Sequence, residues 1–193
     1  RSFVGEEDIT LMPIPETEVR AMIEDASHRD YAVLVCGRDV VALHNHKPIF
    51  DEIFVQALGV NNIDINKPVE PLLSQPVLQL TPFFSEEDEK AISPSMPHCV
   101  SARWHPNFTD ITVQGADKGN ALKQMSKHLG IGLEECIAFG DGGNDMTILQ
   151  TAGIGVAMGN AYEGVKAVAD YVTTSVDEDG IRNAFIHFGI INN

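Results

Sequence analysis

Cys136-Ile137-Ala138-Phe139-Gly140-Asp141-Gly142-Gly143-Asn144-Asp145 is a short apolar run that breaks into a glycine-rich turn carrying two carboxylates. The apolar run predicts a buried strand, and the residues from Asn144 to Thr151 predict a helix leaving the turn. In open α/β sheets, ligands bind beyond the carboxyl ends of the strands, which is where Asp141 falls. Gly142 and Gly143 let the backbone approach a ligand closely. Asp145, four residues on, can point back to the same spot. Two hard oxygen donors beside a helix N-terminus suit Mg²⁺ together with a phosphate. A plainer alternative is that Asp141 and Asn144 only cap the helix. A calcium-binding EF-hand is excluded, because Met146 and Ala152 stand where its glycine and glutamate belong.

Outward from this turn the pattern is regular. Asp117–Leu129 predicts a helix, with Asp117 as N-cap and Ala121, Leu122, Met125 and Leu129 as its apolar stripe. Ile154–Ala157 and Tyr171–Val172 predict short strands, and 162–169 and 179–188 predict helices. Alternating short strands and helices indicate a doubly wound, Rossmann-like parallel α/β core. Lys118 would open the first of these helices. A lysine is electrostatically ill-placed at a helix N-terminus unless an anion or carboxylate shares the site.

Before Gly115 the character changes, and all ten prolines lie there. Helices are expected over 15–28, 48–58 and 85–91, the last with Ser85 as N-cap. Strands are expected over 31–36, 40–43, 76–84, 99–104 and 109–113. This is an α+β unit, and the expected division is 1–114 and 115–193.

Several stretches occur in an order that resembles the haloacid dehalogenase-like hydrolases, most closely the Cof-type sugar-phosphate phosphatases. They are Asp117-Lys118-Gly119-Asn120-Ala121-Leu122, Ala138 through Asp145, Gly155-Val156-Ala157-Met158-Gly159-Asn160-Ala161, Val165-Lys166, Ala169-Asp170 and Asp179-Gly180. The resemblance is specific over about residues 110–190. It implies that the α+β stretch is a cap domain. It further implies that Asp141 ligands Mg²⁺, that Asn144 helps bind phosphate, and that Asp145 orients Lys118 and supports the metal site. Lys118 would then neutralise the phosphoryl group. Phosphoryl transfer needs such charge neutralisation and alignment.

The resemblance also implies an Asp-x-Asp-Gly nucleophile and a phosphate-holding Ser or Thr ahead of the cap, and neither is found. The expectation is therefore an N-terminally incomplete core: a C-terminal fragment or truncated product, inactive alone, of a Mg²⁺-dependent phosphatase acting through an aspartyl-phosphate. Asp177-Glu178-Asp179-Gly180 spells the motif, but Thr173-Thr174-Ser175 precedes it instead of an apolar strand. Asp177 or Asp179 is expected to cap the last helix.

Composition sets the outer bounds. Hydrophobic residues are 44% and the formal net charge is −15, which argues against nucleic acid or anionic membrane as the main partner. Three cysteines without ligand-like spacing fit a reducing cytoplasm. The expected partner is a small phosphorylated substrate, and the oligomeric state is left open. Arg103 and His105, with Trp104 between them, end a strand of the cap and are candidates for substrate recognition, against ordinary packing. His44 and His46 sit two apart with no third metal ligand evident, so an exposed surface is expected. Gly153 to Gly159 is one residue too long for a dinucleotide fingerprint. Cys136 is expected to be a core residue. The alternatives kept are a non-catalytic module binding a phospho-metabolite or protein, a phosphomutase-like relative, and a nucleotide-dependent oxidoreductase.

Overall fold

The computed structural model describes residues 1–60 and 63–192. The chain forms two compact units, Leu11–Gln114 and a second made of Arg1–Thr10 with Gly115–Asn193.

The first unit is built on a five-stranded antiparallel sheet. Its strands are β3 (Val33–Gly37), β4 (Val41–His44), β5 (Val77–Pro82), β6 (Cys99–His105) and β7 (Phe108–Val113), in the order β4-β3-β5-β7-β6. Helix α1 (Glu16–Arg29) starts at Pro15, whose φ of −54° is preset for helix entry, and stops at Asp30 in the left-handed conformation. Glu16 and Glu18 in its first turn and His28 and Arg29 in its last complement the helix dipole. Its buried Val19, Met22 and Ala26 join Val33, Val35, Val77, Leu80 and Ile111 in one core. Helix α3 (Glu86–Ile92) is capped reciprocally: Asp88 N–H donates to Ser85 Oγ at 3.2 Å and Ser85 N–H donates to Asp88 Oδ2 at 3.2 Å.

The opposite sheet face carries a second core of Leu34, Leu43, Phe50, Ile53, Phe83 and Phe108. Here the regular helix expected over 48–58 is replaced. Three α-helical residues, α2 (Pro48–Phe50), run into a π-helical turn over Asp51–Ala57. In the wider turn Phe50 and Phe54 stack with ring centres 5.2 Å apart, and both pack edge-on against Phe83. Aromatic packing overrides the 3.6-residue period, and Leu58, expected on the apolar face, is exposed.

In the second unit, β1 (Ser2–Val4) and β2 (Glu7–Thr10) form a hairpin against α4 (Lys118–Leu129). The first ten residues, expected with the α+β stretch, thus cluster with the C-terminal segment. The parallel sheet has the order β10-β9-β8, from β8 (Ile137–Gly140), β9 (Ile154–Ala157) and β10 (Tyr171–Val172). Helices α5 (Met146–Thr151), α6 (Glu163–Lys166) and α7 (Gly180–His187) complete it. Ala138, Leu149, Ala157, Ala161 and Val165 form its core. Asp117 caps α4, its Oδ1 accepting from Asn120 N–H at 2.8 Å. Leu129, expected in the stripe of α4, is exposed, and the buried positions include Gly119 and Ser126. Gly119 marks the crossing of α4 with α5: a Cβ there would lie 2.5 Å from the Thr147 carbonyl oxygen. Asp179 does occupy the N-cap position of α7, but in the left-handed conformation and without a side-chain cap bond.

Candidate active site

The sequence places Lys118 in the first turn of α4 and Asp145 at the end of a 3₁₀ turn, Gly143–Asp145, that follows β8. Their side chains meet: Lys118 Nζ donates to Asp145 Oδ1. The other oxygen, Oδ2, accepts from the backbone N–H groups of Asp141 and Gly142, both at 3.0 Å. One carboxylate therefore fixes the lysine and closes the loop. The loop folds tightly for this purpose, because a Cβ on Gly140 would lie 2.4 Å from Asp145 Cβ. Burial by itself would raise the Asp145 carboxyl. The Lys118 hydrogen bond, the two N–H donors and the Lys118 charge outweigh it and hold the group below the usual carboxylate range. The lysine that looked misplaced at a helix start has its counter-charge.

Asp141 is exposed at the C-terminal end of β8. Its Oδ2 accepts from Asn160 Nδ2 at 3.1 Å, and Asn160 Oδ1 accepts in turn from Val176 N–H at 3.2 Å. Asn144 is exposed on the same loop, and Tyr162 lies over Gly143. Lys118, Asp141, Asn144 and Asp145 are thus gathered around one turn. The motif that includes Gly159-Asn160 was visible in the sequence, but no role for Asn160 was, because its partner lies 19 residues away across the sheet.

The remaining candidates are placed differently. Arg103 belongs to the antiparallel unit, where its side chain is only 14% exposed. Its Nε donates to Glu89 at 2.8 Å, and one terminal nitrogen faces the carbonyls of Phe84, His105, Pro106 and Phe108. These bonds hold the β6–β7 turn, while the other terminal nitrogen is buried without a hydrogen-bond partner, 2.7 Å from Glu89 Oε2. His105 stacks on Phe108, and its Nδ1 accepts from Asn107 N–H at 3.2 Å. His44 bonds Ser27 Oγ at 2.9 Å and His46 bonds Asp51 at 2.8 Å, so the two rings serve separate local contacts. Burial pushes the His44 pKa down. Among the described residues no three His, Cys, Asp or Glu side chains are grouped to hold a metal. All three cysteines are free, and Cys136 is half-buried at the start of β8. No helix among the described residues is long and apolar enough to cross a membrane.

A parallel α/β unit with a strand-end carboxylate loop and an ion-paired lysine beside it defines a phosphoryl-handling hydrolase layout. The chain belongs to the haloacid dehalogenase-like hydrolases, whose family model matches residues 3–185. The parallel unit is the Rossmann-like core of that fold and the antiparallel unit its cap. The resemblance to the Cof-type branch holds among solved structures. BT4131, described as a HAD subclass IIB sugar phosphatase, is 43% identical with a TM-score of 0.85, over 98% of this chain and 72% of that one. YkrA of Bacillus subtilis (strain 168) is 30% identical over 184 residues, 93% of this chain and 68% of that protein. The 5-amino-6-(5-phospho-D-ribitylamino)uracil phosphatase YitU of the same organism is 30% identical over 179 residues, 87% of this chain and 64% of that protein.

Proposed function

We propose that the chain carries the lysine-and-metal half of a phosphatase site for small phosphate monoesters, with sugar phosphates as the substrate class. The observation that carries this reading is the Lys118–Asp145 pair locked to the backbone of the Asp141–Gly142 turn. Lys118 is half-exposed, so it can lend charge to a phosphoryl oxygen while Asp145 keeps it aimed. Asn144 offers an amide donor from the same loop.

The donor chemistry fits Mg²⁺. That ion takes one or two carboxylates and fills its shell with water and phosphate oxygens, so a cage of three protein ligands is not required. Asp141 has an exposed carboxylate held from one side by Asn160 and would be the ligand of this chain. Asp145 supports the site through the loop, since both of its oxygens are engaged. When bound, Mg²⁺ would neutralise charge on the transferring phosphoryl group.

The reaction proposed for the whole protein transfers the phosphoryl group from the substrate oxygen to an aspartate carboxylate, with water then cleaving the aspartyl-phosphate. Neither carboxylate gathered around Lys118 suits that nucleophilic role. Asp145 is held by Lys118 and two loop N–H groups, and Asp141 would serve the metal. These 193 residues alone are therefore expected to bind Mg²⁺ with inorganic phosphate or vanadate and to show no turnover.

The experiment is calorimetric titration of vanadate with and without Mg²⁺, run beside a phosphate-release assay on sugar phosphates. Binding should require Mg²⁺ and should weaken about tenfold or more in Lys118→Met and Asp141→Ala, as expected for charge-assisted contacts. Absence of any Mg²⁺-linked binding would sink the site. Phosphate release abolished by Asp141→Ala would sink the claim that the chain alone is inactive.

A further inference from the structure

Asn160 meets Asp141 at the carboxyl ends of two neighbouring strands. Met158 N–H donates to Gly140 O at 2.9 Å, so the turn that follows β9 is fastened to the last residue of β8, one position before Asp141. The same turn is fixed from its other side. Gly159 N–H donates to Thr174 O at 3.0 Å, and a Cβ on Gly159 would lie 2.6 Å from Ser175 N. Ala161 N–H closes the turn on Met158 O at 2.9 Å. Asn160 is exposed, yet it is presented by backbone that is tied down on both sides.

The Asn160 amide has only one way round. Val176 N–H reaches Asn160 Oδ1 at 3.2 Å, and a backbone N–H can only donate, so the amide oxygen must face Val176. The NH₂ group is left for Asp141, whose Oδ2 accepts it at 3.1 Å. Val176 opens a 3₁₀ turn, Val176–Glu178, that is itself clasped where Ser175 Oγ donates to Glu178 Oε2 at 2.8 Å. The backbone of Asp141 is held separately, its N–H donating to Asp145 Oδ2 at 3.0 Å. Asp145 thus fixes the main chain of Asp141, and Asn160 fixes one oxygen of its carboxylate.

We propose that Asn160 is a positioning residue that makes the Asp141 site prefer Mg²⁺ to Ca²⁺. The proposal deepens, and rests on, the reading of Asp141 as the metal ligand of this chain. A ligating carboxylate with a hydrogen-bond donor on it cannot swing freely, and removing such a partner typically costs about 10–100-fold in metal affinity. The two ions respond differently to that freedom. Binding of Mg²⁺ requires near-ideal octahedral geometry, whereas Ca²⁺ accepts flexible geometry and one or both oxygens of a carboxylate. A clamped Asp141 suits the first ion, and a released one suits the second. In this role Asn160 acts through Asp141 and touches neither substrate nor metal.

The test is calorimetric titration of vanadate into the 193-residue protein at a series of Mg²⁺ or Ca²⁺ concentrations, which yields the half-saturating concentration of each ion. The wild type should prefer Mg²⁺. Asn160→Ala should raise the half-saturating Mg²⁺ concentration about tenfold or more and that of Ca²⁺ by less, so that the preference narrows. Asn160→Asp is isosteric and keeps an acceptor for Val176 N–H, but it offers Asp141 no donor. The preference should narrow there as well. Circular dichroism melts verify that each variant is folded. A merely structural role would weaken both ions alike, so equal losses in Asn160→Ala overturn the proposal. A wild-type preference retained in Asn160→Asp also overturns it, because the effect would then belong to the Val176 contact. Mg²⁺-linked vanadate binding in the wild type, with the preference unmoved in both variants, would overturn this proposal and leave the phosphatase reading standing. Absence of Mg²⁺-linked binding in the wild type would overturn both.

Discussion

Asp145 is a buried carboxylate whose two oxygens do different jobs, one for the lysine and one for the loop backbone. Asp145→Asn keeps the shape but removes the anion, and its new NH₂ group must face either Lys118 or both loop N–H groups, a donor against donors. Breaking a charge-assisted, partly buried set of this kind costs about 2–3 kcal/mol. The variant should unfold at a correspondingly lower urea midpoint and lose Mg²⁺-linked vanadate binding. Lys118→Met removes the charge but leaves the N–H donors on Asp145, so it should cost less stability while losing the same binding. Equal stability of Asp145→Asn and wild type would show that the loop does not depend on this carboxylate. The two residues were legible as candidates because Lys118 opens a helix and Asp145 follows a strand-end turn. Their contact spans 27 residues, and the turn spacing could not reveal that both Asp145 oxygens accept hydrogen bonds from this chain.

At the scale of elements, local chemistry was read most accurately where capping decides the boundary. Ser85 and Asp117 were recognisable as N-caps because a short oxygen-bearing side chain before an apolar pattern satisfies orphan N–H groups. Both make those bonds. The π-helical turn over Asp51–Ala57 was not legible, because it arises from rings contributed by three separated strands and turns. The β1–β2 hairpin was missed because its residues alternate weakly and it packs on a helix more than a hundred positions away. The α3 cap yields a signed pH expectation. Hydrogen bonds from Ser85, aided by Arg29, hold the Asp88 carboxyl below its ordinary value. Its contribution is therefore present above the unfolded-state pKa of about 4 and is lost as pH falls through the lower folded value. Ser85→Ala should destabilise the protein by about 1 kcal/mol at neutral pH. The difference between variant and wild type should shrink as pH falls below about 4. Paired urea melts at pH 7 and pH 3 measure this, and a constant difference would contradict the role given to Asp88.

For the whole molecule, the units are joined by two chain crossings, Thr10 to Leu11 and Gln114 to Gly115, so the parallel unit is discontinuous in sequence. The change of character at Gly115 made the second crossing legible. The first has no marker beyond Pro13 and Pro15, and a discontinuous unit leaves no periodic trace. The arrangement makes the ten N-terminal residues part of the structural support of α4, the helix that presents Lys118. Deleting residues 1–10 should therefore act on one unit selectively. Helix α4 loses the hairpin packed beside it, and its amides should exchange with solvent about tenfold or more faster, equivalent to about 1.4 kcal/mol of local protection. Strands β3 and β5 lie in the antiparallel unit, with a hydrophobic core of their own in Val33, Val35, Val77 and Leu80. Their amides should keep their protection. Hydrogen–deuterium exchange followed by mass spectrometry of peptides from 118–129 and from 77–82 separates the outcomes. Equal acceleration in both would mean that the chain unfolds as one cooperative block. Unchanged exchange in 118–129 would mean that the hairpin contributes nothing to the helix that carries the lysine.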